Sequence, residues 1–275
     1  NDNYFEWRFG NIYYTKKGTG SPILLIHDTL PGASGYEWSK IEDELAIDHT
    51  VYTVDLLGCG RSDKSSITYT NFVYVQMISD FIKKIIGQKT DVIASGFSGS
   101  FVTMACHNEK ELFNKIMLVN PPSLTQLKQM PNRKDRLLKA ALEIPIFGTL
   151  VYHMIVSRDN INNLFIEKMY FNPFHVDNQM ADAYYEAAHK GGYYTRFLYS
   201  SLAAKYININ ICHALKALDN SIYIVEGETE SNGKAVTDDY CASNPAIEVS
   251  VLKETKHLPH VEAPEAFLEQ VKIFF

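Results

Sequence analysis

The segment from residue 91 to residue 105 constrains the fold most strongly, because an apolar run meets a cluster of small residues there. Asp91-Val-Ile-Ala-Ser95 has the continuous apolar character of a buried strand. Gly96-Phe-Ser-Gly-Ser100 follows, and Phe101-Val-Thr-Met-Ala105 then continues with helical apolar spacing. Small residues allow the close backbone approach that a sharp strand-to-helix turn requires. The sequence therefore predicts a buried strand that turns directly into a helix.

Apolar strands alternate with helical segments along most of the chain. After an N-terminal antiparallel hairpin at 4–9 and 11–15, the pattern predicts strands at 22–26, 51–55, 91–95, 115–119, 221–226 and 247–252. It predicts helices at 38–47, 70–86, 99–108 and 264–275. Continuous apolar strands separated by helices are typical of a mostly parallel sheet covered on both faces. Between 121 and 218 the strand rhythm stops, and helices are predicted at 136–142, 150–155, 161–170 and 178–189.

Length and composition exclude several classes of protein. The 275 residues suffice for one large α/β domain or for a core with an inserted subdomain. The net charge of −6 arises from interspersed acids and bases, which argues against a nucleic-acid partner. No apolar run reaches the roughly 18 to 20 residues that a membrane span requires. The four cysteines form no CxxC pair and the chain starts without signal-peptide character, so a cytoplasmic protein is expected.

Four motifs follow one another in an order that resembles the α/β-hydrolase family. They are His27-Asp-Thr29 after a strand, Asp55-Leu-Leu-Gly-Cys-Gly-Arg-Ser62, the elbow-like Gly96-Phe-Ser-Gly-Ser100, and His257-Leu-Pro-His-Val-Glu-Ala-Pro264. The resemblance extends from about residue 5 to the C-terminus and is strongest to capped members of the family. It implies a mostly parallel eight-stranded α/β-hydrolase sheet, with a core at 1–120 and 219–275. A helical cap at 121–218 would be inserted after strand six.

The resemblance also implies an activity. The chain is expected to be a cofactor-free and metal-free serine hydrolase, esterase-like, that cleaves a small ester or related acyl substrate through an acyl-enzyme. His257 would be the base, and Glu230 the acid that orients it, with Glu228 as the nearest alternative. His260 is expected to be structural. The only expected partner is a small-molecule substrate, and the sequence makes no prediction of oligomeric state.

The oxyanion hole is expected near the first and third motifs. The backbone N–H of Thr29 is one candidate donor, and Phe97, Gly99 and His27 are expected to contribute or to support the loops. Asp28 departs from the family pattern, which usually has glycine after the histidine. A carboxylate there would oppose the development of negative charge unless it points away or is neutralised.

The nucleophile position can be assigned in two ways. In one alignment Ser98 lies at the turn between the small residues Gly96 and Ser100, as the nucleophile elbow requires. In the other, Gly96 lies at the turn; glycine adopts a positive φ readily but has no side chain to react. The first alignment predicts a catalytic Ser98. The second predicts a catalytically silent family member that binds a small ligand under its cap.

Overall fold

Eight strands form a single sheet in a computed structural model that describes residues 3–275. The strands are β1 (Asn3–Trp7), β2 (Gly10–Lys17), β3 (Ser21–Ile26), β4 (His49–Val54), β5 (Thr90–Ser95), β6 (Phe113–Val119), β7 (Ile222–Gly227) and β8 (Glu248–Leu252). Their order is β1-β2-β4-β3-β5-β6-β7-β8, and only the β1–β2 and β2–β4 pairs are antiparallel. The predicted mostly parallel eight-stranded α/β-hydrolase sheet is confirmed. Residues 1 and 2 of the predicted core range lie outside the described residues.

The α-helices follow the strands closely in the order that the pattern predicts. They are α1 (Glu42–Leu45), α2 (Asn71–Phe81), α3 (Ser98–Asn108), α4 (Leu124–Leu127), α5 (Arg133–Glu143), α6 (Pro145–Ile155), α7 (Arg158–Leu164), α8 (Asn178–His189), α9 (Arg196–Ala203), α10 (Cys212–Ala217), α11 (Gly233–Ser243), α12 (Pro259–Glu262) and α13 (Pro264–Phe274). The helix predicted at 70–86 changes to a π-helix at 82–86, and the one predicted at 38–47 shortens to α1.

Helix α11 illustrates what the apolar pattern misses. Its buried residues are Gly233, Thr237 and Tyr240, which have helical spacing but are not a run of apolar side chains. Helices α9 and α10 were likewise not predicted. Apolar periodicity identifies a helix only when the buried face is itself apolar.

The sheet is covered on both faces, because successive side chains of a strand point in opposite directions. Leu24 and Ile26 of β3 pack in a core with residues of α2, α3 and α11. Ile23 and Leu25 point to the other side and pack with residues of α1 and α13. Strands β3 and β5 pair in parallel between the two cores, and the loops after these strands contribute to the site described below.

In the described residues between β6 and β7, helices α4 to α10 occur without an intervening strand. A third apolar cluster joins these helices to the C-terminal part of the core, with Tyr152, Phe165 and Met180 against Leu258 and Val261. The division into a core and a helical cap stays a prediction.

Among residues 3–275 no single helix is long and apolar enough to cross a membrane. Helices α5 and α6 reach that length and apolar composition only when they are taken together, and they are bent by 96° relative to each other.

Candidate active site

The turn between β5 and α3 has a glycine at its apex. Gly96 adopts φ +54°, a left-handed conformation that costs a residue with a Cβ roughly 1–2 kcal/mol. Ser98 already belongs to the first turn of α3, two residues further on. The alignment that places Gly96 at the turn is therefore correct, and the prediction that Ser98 occupies the apex is wrong.

The hydroxyl of Ser98 points into the protein. Its Oγ donates to the backbone carbonyl of His27 at 2.5 Å and lies 2.8 Å from Thr29 Oγ1, which donates to it in turn. The residue is completely buried. These two hydrogen bonds join α3 to the loop after β3, so Ser98 has a structural contact where the sequence suggested a nucleophile.

Asp28 fills the space beside the glycine apex. A Cβ built on Gly96 would come within 2.3 Å of Asp28 Cγ, so a side chain at 96 and this carboxylate position exclude each other. Asp28 Oδ1 accepts hydrogen bonds from the backbone N–H groups of Thr29, at 2.7 Å, and Phe97, at 2.9 Å. These are two of the expected oxyanion donors, and a carboxylate oxygen of the protein itself already accepts from both.

The second oxygen of Asp28 contacts the predicted base. His257 Nε2 lies 2.8 Å from Asp28 Oδ2, and His257 Nδ1 lies 3.1 Å from Glu230 Oε2. The structure thus brings Glu230 to His257, as the motifs predict, and adds Asp28 on the opposite ring nitrogen. We call Asp28, His257 and Glu230 the carboxylate–histidine triad.

The electrostatics of the triad favour an imidazolium between two carboxylates. Burial alone would lower the pKa of His257, but hydrogen bonds and charge interactions with Asp28 and Glu230 raise it to about 10. Burial would raise the pKa of Asp28, but His257 and the N–H groups of Phe97 and Thr29 lower it below its usual range. At neutral pH, His257 therefore donates to both carboxylates and does not act as a base.

Neighbouring residues hold the triad in place. Asn120, which directly follows β6 and has φ +44°, donates from Nδ2 to the carbonyls of Lys256 and His257. Its Oδ1 accepts from the N–H of Gly227. It thereby joins the loop that carries His257 to the end of β7, three residues before Glu230. No sequence motif pointed to Asn120, although an asparagine directly after a predicted strand is compatible with a left-handed turn.

The other expected site residues have supporting contacts. His27 Nε2 accepts from the N–H of Leu56, so its proton lies on Nδ1, which donates to the carbonyl of Asp28. Gly99 donates its N–H to the carbonyl of Gly96 and allows α3 to pack closely on Leu118. The N–H of Gly99 is thus engaged within the turn, and its expected part in the oxyanion hole or its supporting loops stays a prediction.

A cavity of about 470 Å³ opens onto the triad. Its walls combine apolar surface with amides, hydroxyls and carboxylates. The amides belong to Asn120, Gln126, Gln129, Asn208 and Asn232. Besides the triad, the charged residues that line the cavity are Glu226 and Lys205. This is room for a small molecule, with Asp28 and His257 accessible from inside. Within residues 3–275 no group of three His, Cys, Asp or Glu side chains is arranged to hold a metal ion.

Comparison with known proteins gives the family to which this fold belongs. Residues 23–270 match the alpha/beta hydrolase family, and the chain belongs to that family. A solved serine hydrolase involved in carbazole degradation, the CarC enzyme, superimposes with a TM-score of 0.80 at 17% identity, over 100% of this chain and 98% of that one. At this identity the likeness shows the fold alone.

Two curated relatives match a shorter part of the sequence. The 2-hydroxy-6-oxo-6-(2'-aminophenyl)hexa-2,4-dienoic acid hydrolase of Metapseudomonas resinovorans is 29% identical over 113 residues, which are 40% of this chain and 39% of that protein. The soluble epoxide hydrolase of Corynebacterium sp. (strain C12) is 24% identical over 109 residues, 40% of this chain and 37% of that protein. The matches thus span about two fifths of each relative. Both relatives are hydrolases by name.

Proposed function

We propose that this chain is a hydrolase of small molecules that uses the carboxylate–histidine triad in place of a serine triad. The observation that carries the proposal is the position of the Asp28 carboxylate. One of its oxygens accepts from two backbone N–H groups, and the other faces His257 at the wall of the cavity. A carboxylate held in this way is a preorganised nucleophile.

Ester cleavage through Ser98, which the sequence suggested, is not what this geometry supports. An acyl substrate needs a hydroxyl beside the histidine and a free oxyanion hole for its carbonyl oxygen. The Ser98 hydroxyl donates to a backbone carbonyl, and Asp28 Oδ1 occupies the hole. The triad instead favours a saturated electrophilic carbon whose leaving oxygen needs a proton, as in an epoxide.

The first step would use the imidazolium as an acid. Asp28 Oδ2 attacks the ring carbon, the carbon–oxygen bond of the epoxide breaks, and His257 gives its proton to the leaving alkoxide. The products are an alkyl ester of Asp28 and a neutral imidazole. Since the esterified Asp28 carries no charge, the pKa of His257 falls, and the ring can act as a base in the next step.

The second step would return the enzyme to its starting state. His257, oriented by Glu230, takes a proton from water, and the hydroxide attacks Cγ of the ester. Negative charge develops on Oδ1, which already accepts from Thr29 and Phe97. The ester then breaks, and the diol leaves with a proton from the acid form of Asp28. The carboxylate and the imidazolium are restored, and one water has been consumed.

Isotope labelling with a simple aryl epoxide such as styrene oxide tests this route. Turnover in water labelled with heavy oxygen should place the label in the Asp28 carboxyl, because water attacks Cγ and not the substrate. Mass spectrometry of the peptide containing Asp28 measures this. Asp28→Asn should abolish turnover, whereas Ser98→Ala should retain it. Turnover that survives Asp28→Asn, or that requires Ser98, would contradict the proposal.

A binding function is the second candidate, and one observation favours it. The charged groups of the triad and both N–H donors are satisfied by one another, so nothing in the resting site requires a substrate. In that case small polar fragments should raise the melting temperature without turnover or labelling of Asp28. Gln126→Trp, which would fill part of the cavity, should then remove the shift.

A further inference from the structure

Helices α5 and α6 present a row of large apolar side chains to solvent. The members of this α5–α6 surface are between 44% and 79% exposed, well beyond what a soluble helix face usually shows. They are Leu137, Leu138, Ile144, Ile146, Phe147, Leu150 and Met154. None of them lines the cavity of the site described above.

The spacing of these residues makes a continuous stripe on α6. Ile146, Leu150 and Met154 are each one helical turn apart and therefore lie on one side of the helix. The buried residues of the same helix are Gly148 and Tyr152, which face the protein. Helix α6 is thus apolar on its outward side, where a helix of a water-exposed domain normally carries polar residues.

Positive charge accompanies this apolar surface. Five lysines and arginines but only two carboxylates lie between residues 128 and 156. Both carboxylates are engaged, since Asp135 pairs with Lys205 at 3.3 Å and Glu143 pairs with Lys139 at 2.5 Å. This local excess of positive charge lies in a chain whose net charge is −6.

Three of these cations are available for a partner. Arg133, Lys134 and Arg136 are exposed and form no ion pair with any residue of the described part of the chain. Arg133 and Lys134 precede Leu137 and Leu138 by one helical turn and so share their side of α5. Cations next to an apolar stripe are typical of helices that lie in the headgroup region of a membrane.

We propose that the α5–α6 surface docks on an anionic lipid bilayer, with the two helices lying in the interface. Each helix has 11 residues, about 16 Å at 1.5 Å per residue, which is half of the roughly 30 Å hydrocarbon core. The helices are also bent by 96°, so they do not span the bilayer as a pair. Anionic headgroups complement the cations, whereas a second copy of this chain would oppose them with the same positive charge.

The surface begins beside the cavity. Lys205 lines the cavity and also pairs with Asp135 in the first turn of α5. Docking would therefore place the cavity near the lipid headgroups. The two proposals are nevertheless independent, because the surface contains no residue of the triad.

Vesicle co-sedimentation of the full chain tests the proposal. Binding is expected to vesicles of phosphatidylcholine with ~30% phosphatidylserine, and to fall about tenfold with phosphatidylcholine alone or at high salt. The double variant Ile146→Glu/Leu150→Glu should abolish binding, and Lys134→Glu should weaken it. Ile273→Glu is the matched control, because Ile273 is 72% exposed on α13, outside the surface, and this variant should bind like the wild type.

Two results would overturn the proposal. One is equal sedimentation of the wild type and of Ile146→Glu/Leu150→Glu, with circular dichroism showing that both are folded. The other is a wild-type dimer in analytical ultracentrifugation that Ile146→Glu/Leu150→Glu dissociates, together with no vesicle binding by the wild type. That result would assign the surface to a second copy of this chain.

Discussion

Asp28 Oδ2 lies 2.8 Å from His257 Nε2, although the two residues are separated by 229 positions in the sequence. In the serine arrangement that the motifs suggested, a hydroxyl at the turn after β5 would make this contact. Here a carboxylate from the neighbouring loop after β3 makes it. Asp28 occupies the space that a side chain at position 96 would fill. The carboxylate in the loop after β3 therefore fits only because the residue at the turn is glycine.

Gly96→Ala should destabilise the protein more than an alanine at an unconstrained left-handed glycine. Gly87 is the matched control, because its φ is +73° and a Cβ there would meet nothing within 4 Å. Gly87→Ala should cost ~1–2 kcal/mol of backbone strain. Gly96→Ala should cost ~2 kcal/mol more, since displacing Asp28 leaves two N–H groups without an acceptor. Urea unfolding measures both, and equal losses would show that Asp28 is not held against Gly96.

The pH dependence of stability follows from the triad. The pKa of His257 is raised from 6.5 to about 10 in the folded protein. The contribution of His257 to the stability of the folded protein is therefore fully present below about pH 6.5. It is lost as the pH rises through about 10. The pKa of Asp28 is lowered from 3.8, so its contribution is present above that value and is lost as the pH falls through the lowered pKa.

His257→Gln is the variant that isolates this effect. Urea unfolding at about pH 6, 8 and 10 should show the wild type losing stability with rising pH faster than the variant does. The difference between the two proteins should be largest near pH 6 and should shrink toward pH 10. A difference that stays constant over this range would mean that His257 is not held as an imidazolium.

Asn120→Ala should destabilise the fold and reduce any activity together. The substitution removes three hydrogen bonds that join the His257 loop to Gly227, worth roughly 1 kcal/mol each. Asn232→Ala is the control, because Asn232 also has a left-handed backbone, φ +58°, but its side chain makes no capping hydrogen bond. Chemical unfolding should give a loss of ~2–4 kcal/mol beyond the control value. A loss no greater than that of the control would leave only backbone strain as the role of Asn120.

The strands and the turn after β5 were predictable because each rests on a local signal, whereas the Glu230–His257 pair was expected from the family resemblance. Continuous apolar runs mark buried strands, and the two loops that carry Glu230 and His257 follow adjacent strands, β7 and β8. Parallel neighbours end at the same edge of the sheet, so these side chains meet there.

The apex residue and the role of Asp28 depend on information that no local pattern contains. Gly96 and Ser98 both have small neighbours, so the choice between them depends on whether β5 ends at Ser95 or two residues later. The contact of Asp28 with the turn arises from the parallel pairing of β3 and β5, which brings together residues about 70 positions apart. The choice between Gly96 and Ser98 at the turn therefore requires the strand pairing of the folded sheet.

Introducing a serine at position 96 tests whether the Asp28 carboxylate occupies the volume of a side chain at the turn. In Asp28→Gly/Gly96→Ser, the carboxylate no longer fills the volume beside the apex, and the N–H groups of Thr29 and Phe97 become free for an oxyanion. His257 keeps Glu230 but loses Asp28, so its pKa should fall toward the range of a general base. A fluorophosphonate probe should label the introduced hydroxyl, and adding His257→Ala should remove the labelling. Wild type and Asp28→Gly alone should stay unlabelled, because neither has a hydroxyl at the apex. Labelling of the wild type at Ser98 would instead support the serine mechanism. A double variant that is folded but is not labelled would show that a side chain at position 96 does not face His257.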